Sequence, residues 1–287
     1  MIRKLLGIAP QKTEDGSFEP SPVALKLATV AKTNYEVVRY KNPFKNSQLK
    51  ILILCIEEKN MVMKNGKAFS TGNHPVELLV PMLHWKQAGF AMDIVTPTGQ
   101  AAKIEHWAMP QKDEAVLGIY QEYKAALENP LSLQALLEEG LDKDSPYYGV
   151  FLPGGHGAML GLPESQAVAQ LLLWAHENER FTLAICHGPA ALLAAAPEEG
   201  EFIYKGYKIA AFPDSVDKQT PLIGYLPGQM PWHFGEKLEA LGVSIINKKP
   251  DDSCFVDRRL ITGASPEAAH QFGQLSTQTM LDPSAEG

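Results

Sequence analysis

A doubly wound α/β protein, with a mainly parallel sheet and a small lid subdomain, is the expectation for this chain, on three grounds. Short, continuously apolar runs such as residues 50–56 have the length and character of strands covered on both faces. They alternate with stretches of helical period, which calls for a parallel sheet wrapped on both sides. The chain has 287 residues, 45% of them apolar and 21% charged, so it is an ordinary globular protein able to bury a sizeable core.

Residues 1–48 are rich in Pro, Lys, Ser, Asn and Thr and show little periodicity, so they read as an extended arm or part of a small subdomain. Residues 50–56 open the sheet. A Gly/Asn/Ser-rich loop over 65–73 leads to Pro75, suited to a first helical turn, and that helix ends before Gly89. Residues 91–96 form the second strand. The interval 99–145 breaks the rhythm with two helical stretches, 113–127 and 131–139, and no convincing strand, so it is read as an inserted lid. Alternation resumes with a strand at 148–152, a helix at 163–178, a strand at 181–185 and a helix at 188–196. Further strands are expected at 207–212, 243–247 and 260–262, with helices at 232–241 and 266–281. The core is thus assigned to 49–98 and 146–287, and the arm with its lid to 1–48 and 99–145.

The charge balance of −7, without a clustered basic face, argues against a sequence-independent grip on nucleic acid. No apolar run is long enough for a membrane span. The start has too short an apolar stretch for a secretory signal. Cys55, Cys186 and Cys254 are odd in number and lack metal-ligand spacing, which fits a reducing cytoplasm.

The chemistry centres on FTLAICHGPAA, residues 181–191, where a buried strand runs into a small-residue turn and a helix opened by Gly188-Pro189. Cys186 therefore sits at a strand-to-helix elbow of the kind that carries nucleophiles, and the helix end is expected to depress its pKa from ~8.5. Cys55 and Cys254 read as structural. The turn LPGGHG, 152–157, ends the preceding strand at its carboxyl edge, where open α/β sheets bind ligands. Gly154 and Gly155 let the backbone approach a ligand there, and His156 is read as a turn residue. Glu77 lies in the first turns of the helix after the first strand. Asp214 ends a later strand, where it can orient a histidine or simply cap a turn.

These stretches, with FSTGNHPVE (69–77), WAMP (107–110), FLPGGHGAMLGLPES (151–165), FPD (212–214) and DKQTP (217–221), resemble a bacterial family over nearly the whole chain. It is the heat-shock chaperone, glyoxalase III and protein deglycase family, within the PfpI and class I glutamine-amidotransferase-like superfamily of flavodoxin-like folds. The resemblance implies Cys186 as nucleophile, His187 and Asp214 as its triad partners, and Glu77 as the acid beside the sulfur. It also implies a homodimer. The family's His, Glu and His metal positions read Lys86, Ala91 and Tyr123 here, so no equivalent metal site is expected. The implied chemistry is cofactor-free: thiol addition to a small 2-oxoaldehyde, proton shuttling by Glu77, and an oxyanion held by backbone amides of Gly155 and His187. Glycated proteins or nucleotides are the related substrates. A rival reading makes the protein a holding chaperone for unfolded clients, with Ile119, Tyr120, Trp107 and Met109 as a conceivable apolar surface. A cysteine peptidase ranks third.

Overall fold

A computed structural model describes residues 2–44 and 48–282; the ends of the expected arm and core spans, at 1, 45–47 and 283–287, lie outside the described residues. The central sheet has seven strands: Lys50–Leu54 (β1), Ala91–Thr96 (β2), Leu131–Ser132 (β3), Tyr147–Leu152 (β4), Phe181–Ile185 (β5), Cys254–Asp257 (β6) and Leu260–Gly263 (β7). Their spatial order is β6-β7-β5-β4-β1-β2-β3. All pairings are parallel except β6 with β7, an antiparallel hairpin at one edge.

Alternate residues of β1 explain why the run is apolar throughout. Leu52 and Leu54 join one buried cluster, and Ile51 and Ile53 join another on the opposite face. Helices Pro75–Gln87 (α1), Glu114–Glu128 (α2) and Ala269–Leu281 (α6) supply the second cluster; Leu133–Glu139 (α3), Gln166–Glu177 (α4) and Phe234–Ala240 (α5) cover the first face. Each fully buried Leu or Ile contributes roughly 1.5–3 kcal/mol of burial free energy, so the two layers lock the sheet between them.

Several elements differ from the sequence expectation, among them the edge strand Cys254–Asp257, which has no counterpart in it. The stretch 131–139 begins not as helix but as β3, a two-residue edge strand paired to Val95 and Thr96, with Ser132 then capping α3. Residues 99–145 pack onto the sheet: Val116, Ile119 and Leu127 of α2 sit in the same cluster as α1. The strands expected at 207–212 and 243–247 shrink to Lys208–Ile209 and Ser244–Ile245, which pair with each other in a separate ribbon. The loop at 65–73 contains a strand, Ala68–Ser70, joined to Asn60–Val62 and to an N-terminal hairpin, Gln11–Lys12 with Phe18–Glu19. The arm is thus stitched to the body by a small four-stranded sheet. Ile119 and Met109 are core residues, not exposed surface. No helix among the described residues is long and apolar enough to cross a membrane.

Candidate active site

Four parallel strands, β1, β2, β4 and β5, end at one edge of the sheet, and the turns that follow β4 and β5 meet there. Cys186 follows β5 directly with φ +60, a left-handed conformation that costs an L-residue about 1–3 kcal/mol and persists only where neighbours impose it. They do. Its N–H donates to the Gly263 carbonyl at 2.8 Å and its carbonyl accepts from Phe212 N–H at 3.0 Å. Gly188, the next glycine, has no room for a Cβ against the Leu152 and Pro153 carbonyls. The segment Gly188–Ala195 is a tight 3-10 helix rather than an α-helix.

The elbow brings sulfur and imidazole together although they belong to adjacent residues. Cys186 Sγ lies 3.3 Å from His187 Nδ1, and His187 Nε2 lies 2.8 Å from Asp217 Oδ2. A carboxylate only accepts, so Nε2 carries the proton and Nδ1 faces the thiol as acceptor. Asp214 does not take this part: both its oxygens accept backbone N–H groups, of Gly235 at 3.1 Å and Glu236 at 2.8 Å, capping the start of α5. One helical turn farther on, Asp217 reaches the histidine, because the short helix Asp214–Asp217 turns it inward. Its signal in sequence was the DKQTP stretch.

His156 is equally displaced from its expected role as a turn residue. It is buried, its Nε2 lies 3.0 Å from Asp217 Oδ1, and its ring centroid stands 4.1 Å from that of His187. One carboxylate thus holds two imidazoles. Phe212 stacks on His187 at 4.8 Å, and Phe69 meets His156 edge-on at 5.6 Å. Trp107 and Tyr225 extend this aromatic wall.

Glu77, from the first turn of α1, is completely buried beside the thiol. The groups acting on its carboxyl are the Cys186 thiol and the Gly155 N–H, while neither oxygen has a well-aligned hydrogen bond. A Cβ on Gly154 would collide with Glu77 Oε2 and stand 2.7 Å from Cys186 Cβ, so only glycine fits between acid and thiol. Gly154 itself offers a carbonyl, which accepts from His74 N–H at 2.9 Å, and Gly155 offers the donor. The turn requires φ +101 at Gly155, packed on the Gly72 carbonyl.

Burial dominates the electrostatics. It pushes the Glu77 carboxyl well above its usual range, aided by the charge of Glu105, so the site favours its neutral form. Burial also pushes the Cys186 thiol up, as does Glu77, against the pull of Gly155 N–H. The depressed thiol pKa expected from the helix end is therefore overturned: desolvation and an adjacent carboxyl outweigh the few amides. Burial and the charge of His156 lower His187, leaving it neutral. Burial works against the Asp217 charge, yet His187 and His156 together hold it well below the carboxylate range. For His156, the charge and hydrogen bond of Asp217 overcome burial and raise its pKa. The resting arrangement is a thiol facing a neutral imidazole base, with a carboxyl alongside whose neutral form burial favours.

At the three positions weighed for a metal, Lys86 pairs with Glu122, Ala91 opens β2, and Tyr123 is half-buried. Among the described residues, the donor atoms of His156, His187 and Asp217 lie within 4.8 Å of one another, close enough to share an ion, but they are already paired among themselves.

The model of the DJ-1/PfpI family matches residues 68–201, the span that holds Glu77, the Gly154-Gly155 turn and Cys186. Over 268 residues the chain is 46% identical to the protein/nucleic acid deglycase HchA of Escherichia coli O157:H7 (strain EC4115 / EHEC), with 93% of each chain covered. Among solved structures it resembles the 24 kDa rapid encystment protein of Francisella tularensis, with a TM-score of 0.69 and 20% identity over 82% of this chain and 99% of that one. It also resembles glyoxalase III of Candida albicans, with a TM-score of 0.61 and 23% identity over 79% and 95%.

Proposed function

The chain belongs to the DJ-1/PfpI family, and from that premise we propose that it is a glutathione-independent glyoxalase and deglycase using Cys186 as nucleophile. The observation that carries the reading is the strained elbow that sets Cys186 Sγ 3.3 Å from the His187 imidazole, with the buried Glu77 carboxyl also beside the thiol. The deglycase name of the 46% identical relative agrees with it.

In the proposed reaction the thiol sulfur bonds to the aldehyde carbon of a 2-oxoaldehyde such as methylglyoxal. Its proton passes to His187 Nδ1, and the carbonyl electron pair moves to oxygen, which takes the proton of Glu77 to give a hemithioacetal. Gly155 N–H, which acts on the thiol in the resting site, is the proposed donor to the developing oxyanion, together with the His187 backbone N–H. Glu77, now a carboxylate, removes the proton from the former aldehyde carbon while His187 gives its proton to the ketone oxygen, forming an enediol; Glu77 then returns the proton to the neighbouring carbon and takes up the hydroxyl proton of the first carbon, which leaves His187 neutral and Glu77 protonated again. The first carbon is thereby oxidised to a thioester and the ketone reduced to an alcohol, so no external oxidant is required. Water, deprotonated by His187, then cleaves the thioester to the 2-hydroxy acid and restores the thiol. Asp217 keeps His187 in the tautomer that accepts from sulfur throughout. Early glycation adducts of 2-oxoaldehydes on proteins or nucleotides place the same carbon within reach of the thiol.

The test is conversion of methylglyoxal to lactate without glutathione by chelator-treated protein, comparing wild type with Cys186→Ser and Glu77→Gln. Turnover by wild type and its loss in both variants is expected; an inactive wild type overturns the reading.

A second reading, a holding chaperone for unfolded clients, is favoured by a separate observation. Ile2, Leu5, Leu6, Leu27 and Leu222 expose large apolar side chains, and Arg3 ties the short N-terminal helix Ile2–Leu5 to the Pro221 and Leu222 carbonyls, gathering apolar surface of the sort that binds partners. On that reading Cys186→Ser suppresses client aggregation as well as wild type, whereas Leu5→Asp with Leu222→Asp does not.

A further inference from the structure

A second buried carboxyl group, Glu105, stands behind the site and takes no part in the reaction as described. It precedes the 3-10 helix His106–Ala108, is 1% exposed, and comes from the 99–145 stretch rather than from any strand of the nucleophile's neighbourhood. Thr71 Oγ1 donates to Oε1 at 2.6 Å, and Gly72 N–H also acts on the carboxyl, but Oε2 has no hydrogen-bond partner. A buried carboxyl oxygen without a donor is costly unless the group does something with its charge or proton.

Its surroundings say what that is. Gly72, which binds Glu105 through its N–H, presents its carbonyl and Cα against Gly155 and Gly157, the glycines flanking His156. Glu105 and His156 are therefore neighbours across one residue, and the Glu105 charge favours the imidazolium form of His156. The other titratable groups facing His156 and His187 are Asp217 between them, the Cys186 thiol at 3.3 Å from His187, Tyr225 with its ring 5.6 Å from that of His156, His74, held neutral by burial with its pKa near 3, and Asp214 at the cap of α5. Glu77 and Tyr225 face Glu105 from α1 and from the 224–226 turn. In this set Glu105 is the anion that favours His156 without touching His187 or the thiol by a hydrogen bond.

We propose that Glu105 is a positioning residue of the thiol site, whose carboxylate selects which of the two imidazoles on Asp217 carries the extra proton. With Glu105 charged, His156 is the imidazolium, Asp217 is compensated from that side, and His187 faces Cys186 as a neutral base. With Glu105 neutral, His156 gives up its proton more readily, the full charge of Asp217 falls on His187, and the imidazolium forms beside the sulfur, favouring thiolate. Burial raises the Glu105 pKa to about 7 against the pull of His156, Thr71 and Gly72, so both states are populated near neutrality. The proposal deepens the thiol mechanism above and rests on the same Cys186–His187–Asp217 chain.

The test needs no substrate, so it can fail independently of the glyoxalase reading. In protein carrying 15N-labelled histidine, Glu105→Gln is expected to lower the titration midpoint of His156 and raise that of His187, each by about half a pH unit or more. The pH at which iodoacetamide half-maximally alkylates Cys186, read by mass of the 186-containing peptide, is expected to fall in the same variant. Thr71→Val, which leaves the carboxyl in place but weakens its ionised form, is expected to shift all three midpoints the same way by less, so a poorly folded Glu105→Gln leaves the question answerable. Midpoints of His156 and His187 that move together, or not at all, overturn the proposal, as does an alkylation profile unchanged in both variants.

Discussion

Cys55 and Cys186 occupy the same station in the fold: each is the first residue beyond a parallel strand, β1 or β5, at the carboxyl edge of one sheet. Both are buried, and burial pushes both thiols above their usual pKa. They differ in backbone and company. Cys55 continues the strand, its N–H donating to the Val95 carbonyl at 2.8 Å, and its sulfur lies among the apolar residues beneath α1. Cys186 is bent to φ +60 and is flanked by an imidazole and a carboxyl. Position at the sheet edge and burial therefore do not make a nucleophile; a strained turn that presents the sulfur to a base does.

The sharpest way to break this comparison is to remove each sulfur in turn. Cys186→Ser is expected to lower kcat for methylglyoxal at least ~10³-fold, while Cys55→Ala leaves kcat within a factor of about two and costs on the order of 1 kcal/mol in urea unfolding. Equal losses at the two positions would erase the distinction. The company of Cys186 is tested next by the two aspartates. Asp217→Asn is expected to reduce kcat by roughly 10²–10⁴, as loss of the tautomer-fixing carboxylate does in other triads. Asp214→Ala is expected to spare kcat and cost about 0.5–2 kcal/mol of stability through the lost cap. Gly154→Ala tests the spacing between acid and thiol: its methyl pushes Glu77 and Cys186 apart, and a displacement near 1 Å is expected to cost about 10²-fold in kcat, with KM the weaker readout.

The remaining test reads stability rather than turnover. The folded-state pKa of Glu77 lies above its unfolded value, so the folded state holds a proton that the unfolded state has released once the pH exceeds about 4.3. The group therefore costs the fold increasingly as pH rises, and Glu77→Gln removes that cost. Urea midpoints are expected to favour Glu77→Gln over wild type more at pH 8 than at pH 4; a constant difference would show that Glu77 is charged in the folded protein.

What could be read from the chain divides along the same lines. The strands and helices that build the sheet were legible because burial on two faces writes itself locally, as in residues 50–56 and 181–185. The elbow was legible too, since Cys186-His187-Gly188-Pro189 is a contiguous motif with a mechanical reason for each residue. Contacts made by closure of the fold were not. Asp214 and Asp217 are three residues apart, and only the course of the chain after Phe212 decides which reaches His187. His156 looked like part of a tight turn because its partner lies 61 residues away. Glu105 had no local signature at all, as its significance comes from Thr71 and Gly72, which meet it only when the 99–145 stretch folds back. The ribbon at Lys208–Ile209 and Ser244–Ile245 misled for a related reason: apolar strand-like runs do not say which sheet they join.

The small four-stranded sheet at the N-terminus sets an order in time. Phe18 pairs with Phe69, whose ring packs on His156, and Ser21 bonds to the Ile223 and Gly224 carbonyls at 2.7 and 2.8 Å. Residues 18–21 are made long before 221–224 exist to receive Ser21, and pairing across such separations is slow to close. The wall of the pocket is thus assembled only after residues 221–225 have been made, and a reactive sulfur acquires its enclosure later than the strand and elbow that carry it.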